Sequence, residues 1–137
     1  LVVRLQEHVP VALVATTSGF KAYDARGVAL PIDPATADVV APILARPDTA
    51  LLQLLGAARA EEPELYGRMS EIRRERAAPG ETELVFVLDS LPVRAPSGVT
   101  LSRLAEVELV EQDLGRRRLR AIELDLRYRD QVIARLP

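Results

Sequence analysis

The chain is 137 residues long, 15.0 kDa and 48% hydrophobic, the size of one ordinary domain with enough apolar side chains to fill a core. Its 18 basic and 20 acidic residues leave a net charge of −2 and a pI of about 5.5, so no global field draws it to a phosphate backbone and nucleic acid is not expected as a partner. The absence of cysteine rules out a disulfide framework and thiolate metal sites, and fits any compartment.

In chain order, Leu1 opens inside "LVVRLQE", an alternating strand over residues 1–7 with no initiator Met and no turn before it, which reads as a fragment of something longer. No apolar run approaches the ~20 residues that span a bilayer, and no basic-then-apolar leader is present. Strands are predicted over residues 9–16 and Gly19–Tyr23, and, after the turn "DARG", over residues 28–30. Pro31, Pro34, Pro42 and Pro47 punctuate a loop with room for one short strand. Asp48 stands where an N-cap belongs before Leu51, Leu52, Leu55 and Ala58 at helical spacing. Pro63 can open a second short helical segment carrying Leu65, Tyr66 and Met69.

Residues 70–75 read as a strand, "APGET" as its turn, and residues 83–90 as a central strand whose stretch from Leu84 to Leu88 is apolar on both faces. Residues 91–95 pair back after the turn at Asp89 and Ser90. Thr100 caps a helix with Leu101, Leu104, Val107, Val110 and Leu114 recurring every three to four residues. Gly115 is expected to end it, with Arg116, Arg117 and Arg118 favoured at its negative end. The order β-β-β-α-α-β-β-β-α-β-β implies an α+β domain, an antiparallel or mixed sheet with helices packed on one face. It is not a doubly wound nucleotide fold.

The chemistry of an enzyme is missing. The chain has no glycine-rich phosphate loop, no G-x-S-x-G, no H-E-x-x-H and no calcium-spaced carboxylate loop. His8, the single histidine, has no catalytic set around it in the sequence. Glu61, Glu62 and Glu64 surround Pro63 at a helix start, where negative charge suits the dipole, and Asp33 and Asp38 offer still less to a metal. No catalytic, cofactor-binding or metal site is expected, and the weight moves to a binding or scaffold module.

The closing stretch "AIELDLRYRDQVIARLP", residues 121–137, reads as a hairpin. Alternation puts Ile122, Leu124, Leu126 and Tyr128 on an inner face and Glu123, Asp125, Arg127 and Arg129 on a face left to solvent. A loop over residues 129–131 matches Tyr128 with Val132, Leu126 with Ala134 and Leu124 with Leu136, and sets Asp125 opposite Arg135; a two-residue loop would face Leu124 with Arg135 and is rejected.

Asp125, Leu126, Arg127 and Tyr128, leading into that last strand, resemble the C-terminal signature of the bacterial cell-division family FtsQ, called DivIB in Gram-positive bacteria. "ELVFVLDSLPVRAP" resembles the central hairpin of that family's β domain, "SEIR" its preceding strand, and "RLQEHVPVALV" the strand that leaves the POTRA domain. The resemblance implies the end of a POTRA domain over residues 1–12 and a β domain over residues 13–137. It further implies a single-pass inner-membrane protein with this part on the extracytoplasmic, periplasmic side, and no enzymatic activity. Its role would be that of a divisome scaffold supporting septal wall synthesis, bound to FtsB, which travels with FtsL, by strand addition at the last strand. The residues expected to meet the partner are Arg127, Tyr128, Asp130, Val132, Ile133, Ala134, Arg135 and Leu136, with Asp130 and Gln131 standing where relatives often have a small residue. Competing readings are another POTRA-linked envelope scaffold, or a small enzyme working through His8 or the acidic cluster.

Overall fold

In the computed structural model, which describes residues 1–3 and 8–137, the chain runs β1 (Ala12–Thr16), β2 (Gly19–Tyr23), β3 (Ile43–Leu44), α1 (Thr49–Glu61), α2 (Pro63–Gly67), β4 (Met69–Ala78), β5 (Glu81–Leu88), β6 (Leu91–Pro96), α3 (Leu101–Arg116), β7 (Glu123–Asp125) and β8 (Ile133–Arg135). The strands form one mixed sheet in the order β2-β1-β3-β4-β5-β6-β7-β8. Tight turns make the antiparallel pairs β1–β2, β4–β5 and β5–β6. Parallel joins occur where a longer connection crosses over: β2 and the loop after it between β1 and β3, α1 and α2 between β3 and β4, and α3 between β6 and β7. This is the α+β architecture that the element order implies.

The helices start where their caps dictate. The Asp48 carboxylate accepts the Leu51 N–H at 3.2 Å, the Thr100 hydroxyl accepts the Arg103 N–H at 3.2 Å, and Pro63 takes the first position of α2. All three helices lie on one face of the sheet. There Leu52 and Leu55 of α1, Leu65 of α2, and Leu104 and Val107 of α3 pack on Ile72, Leu84, Phe86, Leu88, Val93 and Leu124. α1 comes so close to the turn after β2 that a Cβ on Gly56 would sit 2.5 Å from that of Ala25. Tyr66, buried on α2, donates its hydroxyl to the Val11 carbonyl at 2.8 Å, and burial pushes its pKa up to about 12.

The opposite face is covered in two ways. Over β1 and β2, Leu13, Ala22 and Leu30 form a smaller apolar cluster under the loop that carries Val39 and Ala41. Over β4 to β8, no helix among the described residues covers the sheet, and arginines and carboxylates pair across it instead. Val85 is buried there, opposite Arg73 on β4 and Arg94 on β6.

Several expectations are corrected. The strand at residues 1–7 falls partly on residues outside those described, and Leu1 to Val3 carry no strand. β1 begins at Ala12, and residues 28–30 contribute one bridge, Tyr23 with Ala29, closed by the Leu30 N–H on the Ala22 carbonyl at 2.8 Å and the Asp24 N–H on the Val28 carbonyl at 3.0 Å. That segment shields the outer edge of β2 at Ala22 and Tyr23. α3 does not stop at Gly115. It ends one residue later, with Arg118 in the left-handed conformation (φ 56°), its N–H bonded to the Gly115 carbonyl at 3.0 Å and the Leu119 N–H to the Leu114 carbonyl at 2.9 Å. Along the helix Leu104 and Val107 are buried, while Leu101, Val110 and Leu114 are half-buried.

Candidate functional site

The C-terminal end of the sheet is built on β7, which adds to β6 in parallel, Val93 opposite Leu124 and Arg94 opposite Asp125. Leu126 extends that join by donating its N–H to the Arg94 carbonyl at 2.7 Å. β8 then returns antiparallel with Glu123 opposite Arg135, Leu124 opposite Ala134 and Asp125 opposite Ile133. This register lies two residues from the one the hydrophobic match favours, so the loop runs over residues 126–132 rather than 129–131. The ion pair across it is Arg135 with Glu123, at 3.3 Å, instead of Arg135 with Asp125. A slip of two keeps every side chain on its face, which is why apolar matching accepts both.

The outer face of the hairpin is not left to water. Glu123 and Asp125 are buried. Arg94 donates to Glu83 at 2.6 Å, Glu123 at 2.7 Å and Glu75 at 3.2 Å. Arg127 closes a two-pronged pair on Asp125 (2.9 and 2.7 Å) and reaches Glu83 at 2.5 Å. With Arg73 between Glu71 and Glu75, and Arg135 on Glu123, these pairs form a lattice from β4 to β8. Burial pushes the Asp125 carboxyl up, but the Arg127 side chain and backbone N–H outweigh it and hold the carboxyl below its ordinary range. Arg127 is raised by Asp125 first, against the opposing pull of burial, and then by Glu83.

Arg127 is therefore committed within the chain, and its expected role of meeting a partner's carboxylate has to compete with two internal ones. Removing it would leave the buried Asp125 without its side-chain partner and Glu83 with Arg94 alone, at a cost on the order of 3–5 kcal/mol. Tyr128 stands 46% exposed and Asp130 lies exposed in the turn; Ile133, Arg135 and Leu136 are exposed along the edge, while Val132 and Ala134 are half-buried against the core. Beyond β8 the sheet order ends, so among the described residues one side of that strand has no neighbour.

Sequence reading missed Glu83, Arg94 and Arg103. The first two carry a usable signal, since opposite charges alternate with apolar residues on neighbouring strands. Arg103, on the first turn of α3, donates through Nη2 to the carbonyls of Tyr128 and Gln131 (2.8 Å), with Leu126 a weaker third at 3.4 Å, and through Nη1 to Glu106. Nothing local in the sequence marks it.

The other candidates come together only in part. His8 Nδ1 lies 2.7 Å from Arg26 Nη2 and 3.3 Å from Asp24, whose buried carboxylate also accepts the N–H groups of Arg26 and Val28. That constellation stitches a turn. Among the described residues no group of histidines and carboxylates is placed to hold a metal ion, Glu61, Glu62 and Glu64 included. Among them also, no helix is long and apolar enough to cross a membrane. No protein-family model matches the chain, and no curated protein matches it.

Proposed function

We propose that this chain is the extracytoplasmic β domain of a non-enzymatic division scaffold of the FtsQ/DivIB kind, which holds FtsB, and with it FtsL, by strand addition at β8. The observation that carries the reading is the outer side of β8, unpaired among the described residues and flanked by the exposed side chains of Tyr128, Ile133 and Leu136. An edge strand is normally blunted by lysine, proline or a bulge, and this one carries a single charge, Arg135, already occupied by Glu123. Backbone hydrogen bonds would supply affinity, and the aromatic face and polar tip of Tyr128 selectivity. The motif of Asp125, Leu126, Arg127 and Tyr128 supports the family assignment.

The test is capture of the coiled-coil division proteins of the same species by the purified chain, compared with two proline variants. Successive N–H groups of a strand point to opposite sides, so of Ile133→Pro and Ala134→Pro one breaks a bond to β7 and the other removes a donor from the open edge. The edge-facing variant should stay folded and lose binding at least tenfold, and Tyr128→Ala should weaken it. If the wild-type chain captures none of these proteins, or if both proline variants fold and bind as wild type does, the assignment fails. Arg127→Glu is unsuitable here, because it breaks the lattice before it tests the edge.

A further inference from the structure

The loop over residues 126–132 contains neither glycine nor proline, so its own sequence does not set its path. Sliding β8 by two residues, to pair Leu126 with Ala134, would shorten the loop to residues 129–131 and leave each side chain on its present face. Burial barely separates the two arrangements. Arg103 does separate them. Its guanidinium ties the Tyr128 and Gln131 carbonyls, and more weakly that of Leu126, to a helix anchored in the core by Leu104 and Val107. Carbonyl oxygens that converge on one point need a cation among them, and a five-donor fork fits that need better than a point charge. Glu106, one turn along α3, holds the other prong. A slide of β8 would carry Gln131 away from this fork and leave a mostly buried guanidinium short of acceptors.

We propose that Arg103 is the positioning residue that fixes the register of the edge strand, and so decides which residues β8 offers to an incoming strand. The second half rests on the reading of β8 as a docking edge; the first does not.

Amide exchange and cross-strand contacts by NMR test it on the full chain. Arg103→Met keeps the aliphatic stem and removes the fork; it should lower protection of the Ile133–Arg135 amides about tenfold or more relative to β4–β6. The contact of Leu124 with Ala134 should weaken in favour of Leu126 with Ala134, and Arg103→Lys should restore part of the protection. Leu30→Ala, in the distant cluster, should destabilise without that selectivity. Unchanged protection in Arg103→Met, or a loss spread over all strands as in Leu30→Ala, overturns the proposal. Should Arg103→Met not fold, Glu106→Ala is read the same way: a selective loss at β8 supports the latch and none overturns it. Titration with the coiled-coil partner adds the second arm. Absence of binding by wild type sinks the docking reading while exchange still decides the latch; equal binding by a variant whose β8 has slid overturns the second half.

Discussion

Arg118 holds the left-handed turn that closes α3, where glycine is the usual occupant. Of the two bonds that end the helix, Arg118 to Gly115 and Leu119 to Leu114, the second depends on that conformation, which turns the Leu119 N–H back onto the helix. A side chain there costs about 1 kcal/mol, partly offset by the extra freedom glycine gains when unfolded. Arg118→Gly is thus expected to raise stability by roughly 0.5 kcal/mol, read as a higher urea midpoint at unchanged slope. An unchanged or lower midpoint would contradict it. The same position shows where single residues are legible. Asp48, Pro63 and Thr100 declare helix starts, since a side-chain acceptor or a missing donor acts locally. Gly115 suggests the wrong stop, because a helix end is set by whichever residue tertiary packing forces into the left-handed turn.

Among the elements, α1 depends on one absence. Replacing a helical glycine by alanine normally gains up to about 1 kcal/mol from propensity. At Gly56 the new methyl would meet the Ala25 Cβ at 2.5 Å, and overpacking of that kind costs about 1–3 kcal/mol. Gly56→Ala is expected to lower the thermal midpoint, and the pair Gly56→Ala with Ala25→Gly to recover part of it. A stabilised single variant would show that α1 can move off the turn freely. Strands were legible from their alternation, and β5, apolar on both faces, announced its central place. The register of β7 with β8 was not, since two pairings two residues apart keep the same side chains on the same face, the apolar match favours the one not adopted, and the deciding contacts come from Arg103, more than twenty residues away. The outer face of the hairpin was misjudged for a related reason. Charges on one strand read as solvated until Arg94 and Glu83 on the neighbouring strands are laid beside them.

Across the whole molecule, buried carboxylates link folding to acidity. Burial pushes Asp24 and Asp125 up, yet their backbone and side-chain partners prevail, and Asp48 is lowered chiefly by Arg74 at 2.6 Å; all three fall below the ordinary 3.8. A carboxyl whose folded value lies below its unfolded one contributes stability above the unfolded value and loses it as pH falls through the folded value. Stability should hold from neutral pH down to about pH 5 and then fall steeply through 3.8 and below. Denaturant midpoints across that range test this, and a midpoint that stayed level down to pH 2.5 would refute it. The element order and the main core were open to inspection in the sequence; the ionic cover was not, because it exists only once β4 to β8 are side by side.

The two rims of the sheet are unlike: β2 is shielded along Ala22 and Tyr23 and carries Lys21, while β8 is bare among the described residues. A bare rim meeting its own copy antiparallel generates a two-fold axis and stops at two molecules. A bare rim meeting an opposite rim would repeat without closing and grow into a fibre. Covering the Ala22–Tyr23 end of β2 shortens the rim that this second mode would need, which tilts self-association towards the closed pair and away from the fibre.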